Sequence, residues 1–512
     1  MANKKTFFVT TPIYYVNDAP HIGHAYTSIA CDVIARFYRL KKNKTMFLTG
    51  TDEHGLKIEQ AAKKKNMDTK KFVDEMSLGF KDLTKKLNLS NDFFIRTTDT
   101  FHKQTSQYIW NRLKKNNQIY LDKYKGWYSV SDEAYFNEDE INTDEKTKKK
   151  VAPSGNEVQW VEEESYFFKL SKWQDKLLDY YEKNPDFIGP ESRKNEVVSF
   201  VKRGLNDLSI SRTTFSWGID VPGDKKHVMY VWLDALINYL SAIGYPDKKY
   251  KVFWPANLHI IGKDIIRFHA IYWPAFLLAA DIEPPKRIFA HGWWTNEGKK
   301  ISKSLGNVID PDKIIKKYGL DSLRFFLLRE VPFGNDGDFS KKSLQRRINN
   351  DLANDLGNLV QRVLTIINKN FNGKLCRINK IKDSDRKLHQ YPLKILKNIE
   401  KNYEKQEFHK VIDNIWKLIS EANKYVDENE PWQLIKNNKE RAGDVLNILV
   451  IVIAKIAIFL APIMPNISEN ILNKLGLSIK DLSIDEIKKE NFLNMKHKIK
   501  KPEIIFHKIE ND

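Results

Sequence analysis

A chain of 512 residues, 41% hydrophobic and 12% aromatic, has enough material for two or three domains with proper cores. Its charge is one-sided: 85 Lys and Arg stand against 66 Asp and Glu, a net +19. That favours a polyanionic partner, although a general enrichment in lysine accounts for part of the excess. With only Cys31 and Cys376, a disulfide framework and a cysteine zinc centre are excluded, and a reducing compartment fits.

The N-terminal MANKKTFFVTTP passes straight into an apolar segment without a signal-peptide core, so a cytoplasmic location is expected. Residues Thr6–Thr10 read as a buried strand. Ile22, Ile29, Val33, Phe37 and Leu40 recur at helical spacing and predict a helix from about His21 to Leu40. The turn between them holds Pro12, Asn17, Asp18 and Pro20. Strand, turn and helix in this order make the first unit of a parallel α/β sheet, with a ligand at the helix N-terminus. His21 and His24 lie one helical turn apart, and Gly23 leaves room for a flat ring; the same pattern also serves as ordinary helix capping.

Thr45–Thr49 predicts a second strand, followed by Gly50-Thr51-Asp52-Glu53-His54-Gly55 and a helix from Leu56. Asp52 is either a binding carboxylate at a strand end or a helix N-cap. From about Lys114 to Phe215 aromatic clusters alternate with acidic turns, as in an inserted β-containing subdomain. Lys148-Lys149-Lys150 reads as a solvated loop. Strand–helix alternation returns at His227–Trp232 with a helix from Asp234. Leu258–Ile261 is a further strand, a helix runs from Gly262-Lys263-Asp264 to Ala280, and Arg287–His291 is the last strand. The α/β domain is thus split around its insert. Glu297–Asn307 is a basic loop suited to closing over phosphates. From about Asp338 onward the pattern is an all-α bundle. Val445–Met464 has the hydropathy of a membrane span, but Asn447, Lys455 and Pro462 make it a buried bundle helix.

HIGH at His21–His24 and KISKS at Lys300–Ser304, in that order around a split α/β domain, resemble the paired signatures of class I aminoacyl-tRNA synthetases. TGTDEHG (Thr49–Gly55), YVWLDALINY (Tyr230–Tyr239), IGKDIIRFHAIYWPA (Ile261–Ala275), DLANDLGNLVQR (Asp351–Arg362), ENEPW (Glu428–Trp432) and LAPIMP (Leu460–Pro465) look like the methionyl-tRNA synthetase family over essentially the whole chain. The resemblance implies a split Rossmann-type catalytic domain (1–113 and 216–292), a connective insert (114–215), a signature-loop linker (293–343) and a helical anticodon-binding domain (344–512). It implies a methionine–tRNA ligase that forms methionyl-adenylate from methionine and ATP, with magnesium, and passes the acyl group to initiator and elongator tRNA(Met) for translation.

By the same resemblance, His21, His24, Lys300 and Lys303 are catalytic, and with Gly23, Ser302, Ser304, Gly262 and Asp264 they contact ATP. Methionine falls to Ile13, Tyr15, Asp52, Trp232, Ala235, Leu236, Tyr239, Ile265, His269 and Trp273. The thioether needs an apolar, aromatic pocket, since each sulfur–aromatic contact contributes about 0.3–1.5 kcal/mol. Without the motifs, these side chains read as ordinary core. Trp432, Asn354, Asn358 and Arg362 match anticodon positions, Trp432 alternatively being a bundle staple. Ile301 stands where the family usually has Met and keeps an apolar contact. Ser129-Val130-Ser131-Asp132 occupies the stretch where many relatives carry a CxxC zinc knuckle, so no zinc site is expected. The chain stops soon after the bundle, without the dimerising domain of some relatives, so a monomer with no membrane association is expected.

A leucine, isoleucine or valine enzyme needs a larger insert, and a cysteine enzyme needs metal-binding thiols. A small nucleotidyltransferase does not need the helical half, and a non-catalytic tRNA binder does not need both signatures intact.

Overall fold

Strand Thr6–Thr10 is buried at every position after Thr6, as an interior strand of a parallel sheet requires. A computed structural model of the chain describes residues 5–510 other than 18, 137, 146, 302–305, 376, 377, 379, 491, 492 and 494–497, and the backbone alone of residue 300. The chain divides into two compact units. One holds Thr6–Pro20 and Met46–His291; the other holds His21–Thr45 and Gly292–Asp512 together with the first residues. The helix that begins at the HIGH motif therefore belongs with the C-terminal half of the chain.

In the first unit, Thr6–Thr10 lies between Leu258–Gly262 and Lys44–Asp52, and Ile288–His291 and Ile188–Gly189 continue the sheet beyond Leu258–Gly262. The strands run parallel, with Thr10 opposite His259, Ile260 opposite Phe289 and Leu48 opposite Phe93. Pro12 interrupts the first strand. The chain resumes as Tyr14–Tyr15, which places Tyr15 beside Asp52 in the sheet. This is the parallel Rossmann-type sheet the sequence predicts, with antiparallel insertions. The largest of these is a four-stranded sheet built on the long hairpin of Ile119–Ser129 against Gln159–Phe168.

One local expectation needs correction: His227–Trp232 is not a strand of the parallel sheet. The strand there is Asp224–Met229, and it pairs antiparallel with Ser211–Arg212 and Asp220–Val221. Pro222-Gly223 is the reason: Gly223 sits at φ 82° and Val221 pairs with Asp224, so a tight Pro-Gly turn folds the strand back on its predecessor. Trp232 falls in the following helix, Val231–Ser241. The insert, besides its strands, contains helices Gln174–Lys183 and Glu191–Lys202 and lends Ile188–Gly189 to the parallel sheet.

In the second unit, helix Ile22–Leu40 is fixed by a fully buried ion pair. Arg324 Nη2 lies 2.7 Å from Asp32 Oδ2, while Arg324 Nε donates to the Ile463 carbonyl at 2.7 Å. The LAPIMP turn is thus held through its carbonyls to the same guanidinium that grips this helix. Phe37 stacks on Tyr403 at 4.0 Å. Helix Lys439–Leu460, long and apolar enough to cross a bilayer, is buried from Arg441 to its end. It packs against helices Asp383–Glu404, Phe408–Asn429 and Pro465–Lys474, the place expected of a bundle core helix.

Candidate functional site

The HIGH residues open helix Ile22–Leu40, with His21 as the N-cap. His21 Nδ1 accepts from the Gly23 backbone N–H at 3.1 Å, and His24 Nδ1 accepts from the His21 N–H at 3.1 Å. Each ring therefore carries its proton on Nε2 when neutral, and each Nε2–H is a donor. A Cβ on Gly23 would sit 2.9 Å from His21 Cε1; glycine is needed so that the His21 ring can fold over the turn. Burial, and then the neighbouring His21, push the His24 imidazole well below its usual range. Helix capping and donor presentation are thus one arrangement, not competing readings. Two N–H donors at a helix N-terminus suit an anionic ligand.

The Ile22 N–H donates to the Ile309 carbonyl at 3.1 Å, tying the helix start to the segment that follows KISKS. The signature itself leaves a hairpin in which Trp294–Asn296 pairs with Lys299–Lys300. Its turn is Glu297-Gly298, with both residues at positive φ. Ser302, Lys303 and Ser304 lie outside the described residues, as does the side chain of Lys300.

In the sheet-bearing unit, residues expected to take methionine pack together. Leu236, Tyr239 and Trp273 belong to one buried cluster, and Ile13, Tyr15, Trp232 and Ile265 pack against it half-buried. Ala235 is buried on the same helix. Tyr239 Oη is 2.8 Å from His269 Nε2, and His269 Nδ1 is 3.0 Å from the Ile265 carbonyl. Trp232 stacks on Phe268 at 3.8 Å and meets His269 edge-on. The helix predicted from Gly262 to Ala280 runs unbroken from Lys263 to Ala279 but changes winding, from a 3₁₀ turn Lys263–Ile265 through a π-helical segment Phe268–Tyr272 to an α-helix Trp273–Ala279. His269 lies in the π segment, a conformation that recurs at functional positions. At the end of strand Leu258–Gly262, a Cβ on Gly262 would lie 2.5 Å from Asp264 Oδ1, so glycine lets the exposed Asp264 carboxylate fold back over the strand end.

Asp52 is 7% exposed, and its Oδ1 has no protein partner. It is not an N-cap: helix Leu56–Lys64 is capped by Gly55. Burial, followed by the charges of Asp234 and Glu133, pushes the Asp52 carboxyl well above its usual range; the His54 backbone N–H opposes them. A carboxylate in this setting gains strongly from an incoming cation.

Several residues around it escaped the sequence reading. Glu133, at φ 50°, accepts from Tyr15 Oη at 3.0 Å and bonds Tyr128 Oη. His259 stacks on Tyr239 at 4.1 Å and lies 2.7 Å from Thr10 Oγ1. His54, Asp234 and His102 form a buried chain of hydrogen bonds. An aspartate inside the apolar run YVWLDALINY was the one available sign of the last.

On the helical bundle, Trp432 is the second residue of helix Pro431–Asn437, entered through Glu430 in the left-handed region. It is 37% exposed, and the Arg362 guanidinium lies 5.3 Å from its ring centroid. Arg362 also pairs with Asp427 at 2.8 Å. Asn354 and Asn358 are exposed, but they straddle the junction between a π-helical segment, Ile348–Gly357, and α-helix Asn358–Phe371. The four-residue spacing that predicts a single α-helical face therefore holds only from Asn358 to Arg362. Among the described residues, no group of three or more His, Cys, Asp or Glu side chains is placed to hold a metal ion.

The family model for tRNA synthetases class I (M) matches residues 7–364, and that for the anticodon binding domain of methionyl tRNA ligase matches residues 378–512. The methionine–tRNA ligase of Rickettsia felis is 53% identical over 523 residues and that of Rickettsia bellii 52% identical over 512, each alignment covering 99% of both chains. A structure of Mycobacterium tuberculosis methionyl-tRNA synthetase in complex with methionyl-adenylate superposes with a TM-score of 0.95 at 45% identity, covering 98% of this chain and 99% of that one. The apo form of the M. tuberculosis enzyme gives a TM-score of 0.89 at 42% identity.

Proposed function

Because the chain belongs to the methionyl family of class I tRNA synthetases, we propose how its residues divide the work of a methionine–tRNA ligase. The activity joins methionine to tRNA at the expense of ATP, and an anticodon-binding domain occupies the C-terminal part. In the first step a methionine carboxylate oxygen attacks the α-phosphorus of ATP. The bond to the bridging oxygen breaks, pyrophosphate leaves and methionyl-adenylate remains. In the second, a hydroxyl of the tRNA 3′-terminal ribose attacks the acyl carbon and AMP leaves. Neither step needs a protein nucleophile, so catalysis is positioning and stabilisation of phosphoryl charge.

His21 and His24 donate Nε2–H bonds to the phosphates over Gly23, and Lys300, Ser302, Lys303 and Ser304 close over them. Gly262 and Asp264 receive the ribose. Magnesium accompanies the nucleotide as part of the substrate complex. Ile13, Tyr15, Trp232, Ala235, Leu236, Tyr239, Ile265, His269 and Trp273 enclose the thioether side chain, and Asp52 takes the α-ammonium. Trp432, with Asn354, Asn358 and Arg362, reads the anticodon. The observation that carries this division is the reciprocal cap of His21 and His24, which selects the Nε2–H tautomer of both rings. We read the chain as a cytoplasmic monomer whose insert works without zinc. In place of a thiol knuckle, Asp132 accepts from Ser154 Oγ at 2.7 Å and Asn156 Nδ2 at 2.6 Å. Those bonds already tie the two loops together.

ATP–pyrophosphate exchange with each amino acid in turn tests the reading. Methionine should give the fastest exchange, and faster exchange with leucine or isoleucine overturns the pocket assignment.

A further inference from the structure

Asp52 stands at the end of its strand with one carboxylate oxygen lacking any protein partner, yet the residues that follow it are unusually well fixed. Glu53 is fully buried and bonds Thr51 Oγ1, Thr98 Oγ1 and the Arg96 guanidinium. Its carbonyl accepts from Trp217 Nε1 at 2.6 Å, and the Gly55 N–H donates to the Trp217 carbonyl at 3.1 Å.

His54 is anchored on another side. Its Nδ1 lies 2.6 Å from Asp234 Oδ2, and the other oxygen of Asp234 lies 2.7 Å from His102 Nε2. His102 Nδ1 is in turn 2.8 Å from Ser241 Oγ, which donates to the Asn238 carbonyl at 3.2 Å. Asp234 and both imidazoles are buried. A buried carboxylate normally costs several kcal/mol unless paired; here each oxygen has an imidazole. Burial alone would raise the Asp234 carboxyl, but the charges and hydrogen bonds of His54 and His102 outweigh it and bring it down to about 2.

Helix Val231–Ser241 carries both Asp234 and residues assigned above to the thioether side chain. Asp234, Asn238 and Ser241 follow one another at four and three residues on one side of it, and Trp232, Ala235, Leu236 and Tyr239 lie on the other side. We propose that His54, Asp234 and His102 are positioning residues for the methionine α-ammonium. They act through Asp52, by fixing the chain two residues beyond it at the anchored His54 ring, while Asp52 Oδ1, which has no protein partner, is kept for the ligand. This rests on the assignment of Asp52 to the ammonium group made above.

The test compares methionine with 4-(methylthio)butanoate, which has the same thioether chain and carboxylate but no amine. KM for methionine and Ki for the analogue are measured in pyrophosphate exchange. In Asp234→Asn the methionine KM should rise about 10-fold or more, as for a weakened hydrogen bond to a charge, while the Ki of the analogue changes less than about 2-fold. Ser241→Ala, which removes only the outermost bond, should give a smaller shift with the same selectivity and serves if Asp234→Asn fails to fold. Equal weakening of both ligands in these variants, or of neither, overturns the proposal. Asp52→Asn separates the two assignments. If it is amine-selective and the Asp234 and Ser241 variants are not, only the positioning role fails. If it weakens both ligands equally, the Asp52 assignment fails as well.

Discussion

At His21 one imidazole holds the first turn of a helix and fixes its own tautomer in doing so, so its structural and chemical roles separate only under a suitable substitution. Asparagine is among the best N-caps but offers no ring N–H at the Nε2 position. His21→Asn should therefore keep the melting temperature near that of the wild type and still slow pyrophosphate exchange by about 10²–10³, as for loss of one charge-stabilising donor. His21→Ala should lose the same activity and also about 1 kcal/mol of stability. Near-normal exchange in His21→Asn would mean that the cap is all His21 supplies. The buried histidines beside Tyr239 make a second residue-level expectation. Burial pushes His269 down to about 4, the Ile265 carbonyl only partly opposing it, and His259 is driven the same way by burial and by His269. Between pH 6.5 and about 4 the unfolded chain binds these protons and the native chain does not, so stability rises with pH across that window and is complete above it. Thermal melts from pH 7.5 to 4.5 should show the decline on acidification, and His269→Gln should flatten part of it.

Single elements show what a sequence reveals about itself. Thr6–Thr10 and the apolar part of Lys439–Leu460, expected as Val445–Met464, were legible because their burial follows directly from apolar runs of strand and helix length. Elements whose character depends on a distant partner were not. Ile188–Gly189 is a two-residue strand that exists only because Ile288–His291 lies beside it. The π segments at His269 and Asn354 leave no compositional mark, since a widened turn uses the same residues as an α-helix. The His54–Asp234 bond spans 180 positions, beyond the reach of any local spacing rule. The Pro222-Gly223 turn, by contrast, does carry a local hairpin signal in its Pro-Gly pair. For the helix that begins at Pro431, proline at the first position is preorganised and leaves Trp432 partly exposed beside Arg362. Base–aromatic stacking is worth ~1–3 kcal/mol. Trp432→Ala should thus lower tRNA charging by about 10-fold to 100-fold while pyrophosphate exchange and melting temperature stay unchanged. The insert hairpin carries its own expectation: treatment with a chelator that is then removed, before assay with magnesium, should alter neither exchange nor melting, and stoichiometric zinc in the purified protein would refute the zinc-free reading.

For the molecule as a whole, the net charge of +19 bears on affinity for tRNA and its dependence on salt, not on the fold. Each phosphate neutralised by Lys or Arg releases condensed counterions, and the logarithm of affinity falls with the logarithm of salt by about 0.7 to 0.9 per contact. With about five such contacts, kcat/KM for tRNA falls with a slope near −4, roughly 250-fold between 50 and 200 mM salt. Pyrophosphate exchange, which involves no tRNA, should change only a few-fold over the same range. The Trp432→Ala variant then distinguishes stacking from backbone contact. Stacking on an anticodon base releases few counterions, so the variant's line should run parallel to the wild type's, displaced downward by the lost stacking energy. A shallower slope would mean that the substitution removes phosphate contacts, by disturbing Arg362 or the helix it packs against, and the anticodon-stacking role of Trp432 would have to be given up.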